Sequence, residues 1–116
     1  MESNEKYSHE LKGNLAVIGL HKHVLGGGTA LEFTKELQKL ASKNVDYIIL
    51  DLSKVELMNS SGLGMLVSGL SSMKKNDIRL VLADVPEKVN NLLNMTHLDK
   101  VFEIYENVAD AESKLA

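Results

Sequence analysis

The segment Met58-Asn59-Ser60-Ser61-Gly62-Leu63-Gly64 holds the densest group of residues able to do chemistry. It follows a β-branched apolar run and opens a helical pattern, which places Ser60 at or next to a helix N-cap. Two roles suit a serine there. The hydroxyl of Ser60 or Ser61 can accept a hydrogen bond from a free backbone amide of the first turn, an interaction that contributes about 1 kcal/mol. An exposed hydroxyl at a helix N-terminus can also carry a phosphate, whose ~1.5 to 2 negative charges the dipole and the free amides tolerate. A protein partner packed over the same spot does not tolerate them, so binding changes while the fold persists. Both roles are open on spacing alone. The helix also contains Gly62, Gly64 and Gly69. An interior glycine costs up to about 1 kcal/mol relative to alanine, so three of them point to close approach by another backbone, helix or partner.

Other groups carry weaker chemistry. His21 and His23 share a face if their stretch is extended, and with His9 they could in principle bind a metal, but surface histidines are the better reading, and no metal is expected. His97 falls near a helix end, where capping or packing is expected. Gly26-Gly27-Gly28-Thr29 precedes a helix, yet a P-loop needs a lysine before its Ser/Thr and a dinucleotide fingerprint needs other glycine spacing, so a flexible loop is expected and no cofactor. Asp51 ends a buried strand like the phosphoacceptor of a receiver domain, but the acidic pair that would accompany it is missing; it is expected to hydrogen-bond the loop beneath Ser60. There is no Gly-x-Ser-x-Gly elbow and no histidine and acid to activate Ser60, so the chain is read as no enzyme. Met58, Met65 and Met73 suit either a core or an adaptable binding face.

These groups need elements to hold them. Apolar runs at Leu15–Leu20, Val45–Leu52, Ile78–Ala83 and Val101–Tyr105 read as strands, and their near-continuous apolar character suits a sheet covered by helices. Tyr7, His9 and Leu11 alternate with polar residues, as in a half-exposed edge strand. Helical periods fall between the runs. Phe33, Leu37 and Leu40 share a face behind a Thr29/Glu32 capping box, and Leu63, Leu66, Val67 and Leu70 define a second helix ending in Lys74 and Lys75. Val89, Leu92 and Leu93 define a third that begins near Pro86, and residues 108–115 suit a last short one. The expectation is an α/β domain with a mixed, mainly parallel sheet of four or five strands and about four helices. In such sheets sites gather at the carboxyl ends of strands, which selects the loops His21–Gly28 and Leu52–Ser60.

Composition narrows the class further. The chain has 116 residues, 44% hydrophobic and 25% charged, which suits one globular domain over 1–116. It has no cysteine, so thiol nucleophiles, thiolate metal sites and disulfides are excluded. Thirteen basic and sixteen acidic residues give a net charge of −3, and Arg79 is the only arginine, so nucleic acid is not the expected partner. The first twelve residues are polar, and no apolar run approaches the ~20 residues of a membrane span, so a cytoplasmic protein without membrane insertion is expected.

Asp51-Leu52-Ser53-Lys54-Val55 followed by Met58-Asn59-Ser60-Ser61-Gly62-Leu63-Gly64-Met65-Leu66 resembles the signature of anti-sigma factor antagonists, the STAS domain. There a strand ends in Asp-x-Ser, and after a short apolar stretch Asp-Ser-Ser/Thr-Gly opens a helix. The likeness extends to the paired early strands, the Arg79–Ala83 strand, and Val89–Leu98 with Val101-Phe102-Glu103 after it. The resemblance implies a small bacterial, non-catalytic regulator of transcription that binds a serine-kinase anti-sigma factor. That kinase would phosphorylate Ser60 and a phosphatase would reverse it, the unmodified form being the one that binds. The contact is then expected around Met58, Asn59, Ser60, Ser61 and Gly62, with His21, His23, Gly26 and Gly27, on a monomer or weak dimer. Two departures stand out: Asn59 replaces the family's usual Asp, and the His21–Gly28 loop lacks an acidic residue that many relatives carry. The alternatives are an unphosphorylated STAS scaffold in a stress-signalling complex or a lipid-transport system, and a small nucleotide-binding α/β domain.

Overall fold

Alternation within each apolar run decides which side of the sheet a residue covers, because successive side chains of a strand point to opposite faces. The computed structural model describes residues 7–26 and 28–115, with only the backbone described for residues 7–9, 28 and 29. Its main sheet has the order β1-β2-β4-β6-β7. β1 (Tyr7–Lys12) and β2 (Leu15–Leu20) form an antiparallel hairpin, turned at Gly13, whose φ of +61° a glycine adopts without strain. β4 (Tyr47–Asp51), β6 (Arg79–Ala83) and β7 (Ile104–Tyr105) then add in parallel to β2. The expected edge strand is β1, and the mixed, mainly parallel sheet is the one the sequence implies.

One face of this sheet presents Ala16, Ile18, Leu20, Ile48, Leu50, Leu80 and Leu82 to the helices α1 (Gly28–Ala41), α2 (Ser60–Lys75) and α3 (Glu87–Met95). The other face presents Leu15, Val17, Ile49, Val81 and Ala83 to α4 (Val108–Leu115), which buries Ala111 and Leu115 against them. Both faces are therefore covered, which explains why the central strands are apolar throughout. Phe33, Leu37 and Leu40 of α1 and Leu63, Leu66 and Leu70 of α2 are buried, as their spacing predicts.

Several boundaries differ from the expected ones. The last apolar run yields only the two-residue β7, because Leu98–Lys100 forms a 3-10 turn and the chain reaches the sheet only after Phe102. Val45 is buried ahead of β4 and lies outside the strand. Pro86 is the N-cap of α3, one position before the first turn. α1 starts at Gly28, so Thr29 falls inside its first turn; the Thr29 side chain of the expected capping box lies outside the described side chains. A second, two-stranded parallel sheet went unforeseen: β3 (His23–Val24) pairs with β5 (Leu57–Met58). It joins the two loops selected at the carboxyl ends of β2 and β4.

Candidate functional site

Asn59, and neither serine, caps α2. Its backbone is extended and its Oδ1 accepts the Gly62 N–H at 2.8 Å, while its carbonyl accepts the Leu63 N–H at 2.9 Å. The expected cap at Ser60 or Ser61 is thereby corrected. The helix starts at Ser60, one residue earlier than a Ser60 cap requires, and an amide oxygen caps as well as a hydroxyl. Ser60 becomes the first helical residue. It is exposed, and among the described residues its hydroxyl makes no hydrogen bond. That hydroxyl is spare at the positive end of a 16-residue helix.

The neighbouring loop is fastened on both sides of Ser60. Before it, the Lys22 carbonyl accepts the amides of Glu56 and Leu57 at 2.8 and 2.9 Å, and the Val24 carbonyl accepts that of Asn59 at 3.4 Å. After it, Gly62 lies so close to β3 that a Cβ would stand 1.9 Å from the Val24 oxygen. Gly26, at φ +80°, packs on Ser61, where an added Cβ would come within 2.8 Å of the Ser61 Cβ. The close approach expected from the glycines is thus real but internal for Gly62 and Gly69, the latter packing against Leu37 and Phe33 of α1. Gly64 faces open space.

Of the residues expected at the contact, Asn59, Ser60, Ser61 and His23 are exposed and His21 and Met58 half-buried. Gly62 and Gly26 are buried against the chain itself, so they shape the surface from beneath and do not form it. Gly27 lies outside the described residues. Leu25 and Leu57, 40% and 53% exposed, flank the serine and were not singled out, since an isolated leucine in a loop gives no period to read. Met65 and Met73 are core residues, which removes them from a binding face.

Asp51 accepts the Ser53 N–H at 3.0 Å, so it orders the start of the β4–β5 loop and makes no bond to the Ser60 turn itself. Among the described residues no three His, Asp or Glu side chains come together as a metal site; the His9 side chain lies outside them. His97 is exposed and left-handed, at φ +63°, just past the α3 C-cap Thr96, so it does not pack into the core. Among the described residues the groups with displaced pKa, Lys12, Arg79 and Glu103, sit at the opposite end of the sheet from Ser60.

An Asp-x-Ser strand end, a capped helix opening on Ser-Ser-Gly and the five-stranded mixed sheet occur here in one arrangement. A family model, the STAS domain, matches residues 13–111. The chain belongs to the STAS domain family. Among sequence relatives, the anti-sigma F factor antagonist of Paenibacillus polymyxa is 28% identical over 78 residues, 67% of each chain. The chain spans about two thirds or less of the length of the first curated relatives it matches, 67% of that one and 62% of the next. The crystal structure of a candidate anti-sigma factor antagonist from Thermotoga maritima matches with a TM-score of 0.83 at 25% identity, over 96% of this chain and 95% of that one. The anti-sigma factor antagonist SpoIIAA in its unphosphorylated form matches in fold, with a TM-score of 0.77 at 15% identity over 94% and 95% of the two chains. Among the described residues of this STAS domain, no helix is long and apolar enough to cross a membrane.

Proposed function

We propose that this STAS domain is an anti-sigma factor antagonist: a non-catalytic regulator that binds a serine-kinase anti-sigma factor and is switched by phosphorylation at Ser60, so controlling sigma-factor-dependent transcription. One observation carries the reading. Asn59 performs the capping, which leaves the exposed Ser60 hydroxyl with no structural duty at a helix N-terminus. A phosphate there meets the positive end of the α2 dipole, so the modified domain keeps its fold while its surface gains negative charge. The relatives named as anti-sigma factor antagonists support the same reading.

Asn59 fits this role. Asn and Asp are equally good caps, so replacing the family's usual Asp keeps the helix start and removes one negative charge beside the acceptor. Phosphorylation by the kinase and its reversal by a phosphatase then act on a site of lower charge. Affinity capture with wild type and Ser60→Asp as parallel baits tests the function, together with phosphosite mapping after incubation of wild type with the captured kinase and ATP. A kinase-type anti-sigma factor is expected on wild type, depleted on Ser60→Asp, with the phosphate on Ser60. Equal recovery on both baits, or phosphate on Ser61 alone, overturns the switch. Recovery of an ATPase and permease in its place would assign the domain to a transport system.

A further inference from the structure

The turn between β1 and β2 fixes which backbone groups of the edge strand are left over. Lys12 and Leu15 face each other across Gly13 and Asn14, and the closing pair of so short a hairpin exchanges both its hydrogen bonds. The Asn14 carbonyl points the other way and accepts the Tyr47 amide of β4 at 3.2 Å, which agrees with that phase. Lys12, Glu10 and Ser8 therefore turn their N–H and C=O groups toward β2, while Leu11, His9 and Tyr7 turn theirs outward. No strand lies beyond β1, and among the described residues no hydrogen bond reaches those outward groups. The pairing with β2 runs from Tyr7 to Lys12 without a bulge, and the strand has no proline, so two of the usual devices that blunt a sheet edge are missing.

The side chains decide what the edge can meet. Leu11, 44% exposed, lies opposite Ala16 on the helix-covered face, and Glu10 and Lys12 lie on the α4 face. Their charged groups are 3.8 Å apart, with the side chains 64% and 48% exposed. Lys12 also bonds Glu112 of α4 at 3.0 Å. A lysine alone guards an edge against pairing, but here an acid two residues away offsets it. Opposite charges at that spacing make the strand complementary to itself in one antiparallel register. With Leu11 on the twofold axis, Leu11 faces Leu11 of a second copy, and Glu10 of each copy faces Lys12 of the other. The Leu11 groups then exchange both hydrogen bonds. The Gly13 amide points outward, because the Lys12 carbonyl of the same peptide points in, and it reaches the His9 carbonyl of the second copy. A parallel pairing in register would instead set Glu10 against Glu10.

We propose that β1 is a dimerisation edge: two copies of the chain pair antiparallel about Leu11 and join their main sheets into one. The occupant is a second copy because the strand's own charge pattern answers itself, whereas an unrelated strand gains only the backbone bonds. Lys12 stands at the amino end of β2 and Ser60 follows the carboxyl end of β4, so the dimer leaves both Ser60 faces open. It stands apart from the reading of Ser60 as a switch, and where that reading holds it presents two switchable faces on one particle. A pairing this short buries little surface, so the dimer is weak.

The test is sedimentation equilibrium of the full chain over a concentration series, with thermal unfolding to show that each variant folds. Wild type is expected to pass from monomer to dimer as its concentration rises to about 1 mM, the range of a weak contact. Glu10→Lys and Lys12→Glu each set like charges face to face, so each alone is expected to raise the dissociation constant at least about fivefold. An equimolar mixture of the two is expected to regain the wild-type affinity as a heterodimer, since each variant then meets the opposite charge at both positions. That recovery also separates the contact from the bond to Glu112, which Lys12→Glu gives up in every mixture. Leu11→Pro removes an outward N–H that the monomer does not use, and is expected to abolish the dimer while the hairpin persists. Ser60→Asp is expected to dimerise as wild type does. A wild type that stays monomeric throughout the series overturns the proposal, as does a dimer unchanged by Glu10→Lys or a mixture no tighter than its components. A dimer lost in Ser60→Asp overturns it too, because the contact would then lie at the other end of the sheet.

Discussion

The decisive residue for the site is Asn59. Its Oδ1 takes the Gly62 amide, and that one bond separates the capping role from the serine beside it. Asn59→Ala should lower stability by about 1 kcal/mol in urea denaturation, the usual cost of a lost cap. Asn59→Asp should keep it or add a few tenths, because a carboxylate caps as well and faces the positive end of the dipole. Ser60→Ala should change stability by less than about 0.5 kcal/mol, as an exposed residue away from caps and networks does. A Ser60→Ala cost as large as that of Asn59→Ala would show that the serine has a structural duty and would remove the basis of the switch. The sequence showed that a cap belonged in this turn but could not say which of three adjacent polar residues supplied it. Asn59, Ser60 and Ser61 are all good caps, and the choice depends on where the β5 pairing ends and the helix begins, which is a tertiary matter.

Between elements, the same glycine in the same helix has opposite meanings. Gly62 stands against the β3 backbone, where a Cβ would lie 1.9 Å from the Val24 oxygen, whereas at Gly64 it would meet nothing within 4 Å. Gly62→Ala should therefore push α2 and β3 apart and cost about 1–3 kcal/mol or more. Gly64→Ala should stabilise by up to about 1 kcal/mol, since it removes the entropic penalty of an interior glycine at no steric cost. Thermal unfolding of both variants checks the pair, and equal shifts of the same sign would contradict the packing. The periodicity of α1, α2 and α3 and the long strands were legible, because each presents several buried apolar residues at a fixed spacing. The β3–β5 sheet was not, because two residues per strand give no period and its register follows from the main sheet. β7 was overread for a related reason: Phe102 is buried in the main core just after the 3-10 turn and ahead of the strand, and its apolar neighbours Val101 and Ile104 are 47% and 38% exposed. The exposed leucines at the site were missed on the same ground, since a sequence reading sums apolar character and does not see which face it lands on.

For the molecule as a whole, the parallel strands divide the labour between their ends. Ser60 and the two fastened loops lie at the carboxyl ends, while the amino ends carry ion pairs that hold outer elements to the sheet. Lys12 of β1 reaches Glu112 of α4 at 3.0 Å, and Arg79 of β6 grips Glu103, just before β7, through two parallel hydrogen bonds. The Arg79 hydrogen bonds hold the Glu103 carboxyl below its usual 4.5, with the positive charge adding to the effect and partial burial opposing it. A carboxylate with a depressed folded pKa stabilises fully above its unfolded value, and that contribution disappears as pH falls through the folded one. The pair therefore contributes at neutral pH and is lost in acid, below pH 4.5. Its side chains are 53% and 45% exposed, so solvent screening limits the contribution to less than about 1 kcal/mol. Glu103→Gln should accordingly lower stability slightly at pH 7 and flatten the decline of stability below pH 4.5, with the difference from wild type shrinking in 1 M salt. Urea denaturation at closely spaced pH values measures both slopes. Binding at the other end should be indifferent to Glu103→Gln at pH 7, because no strand or loop of the Ser60 face depends on the β6–β7 pair for its position. A variant that lost partner affinity along with its acid slope would show that the two ends of the sheet are coupled and that Ser60 is not held by its own loops alone.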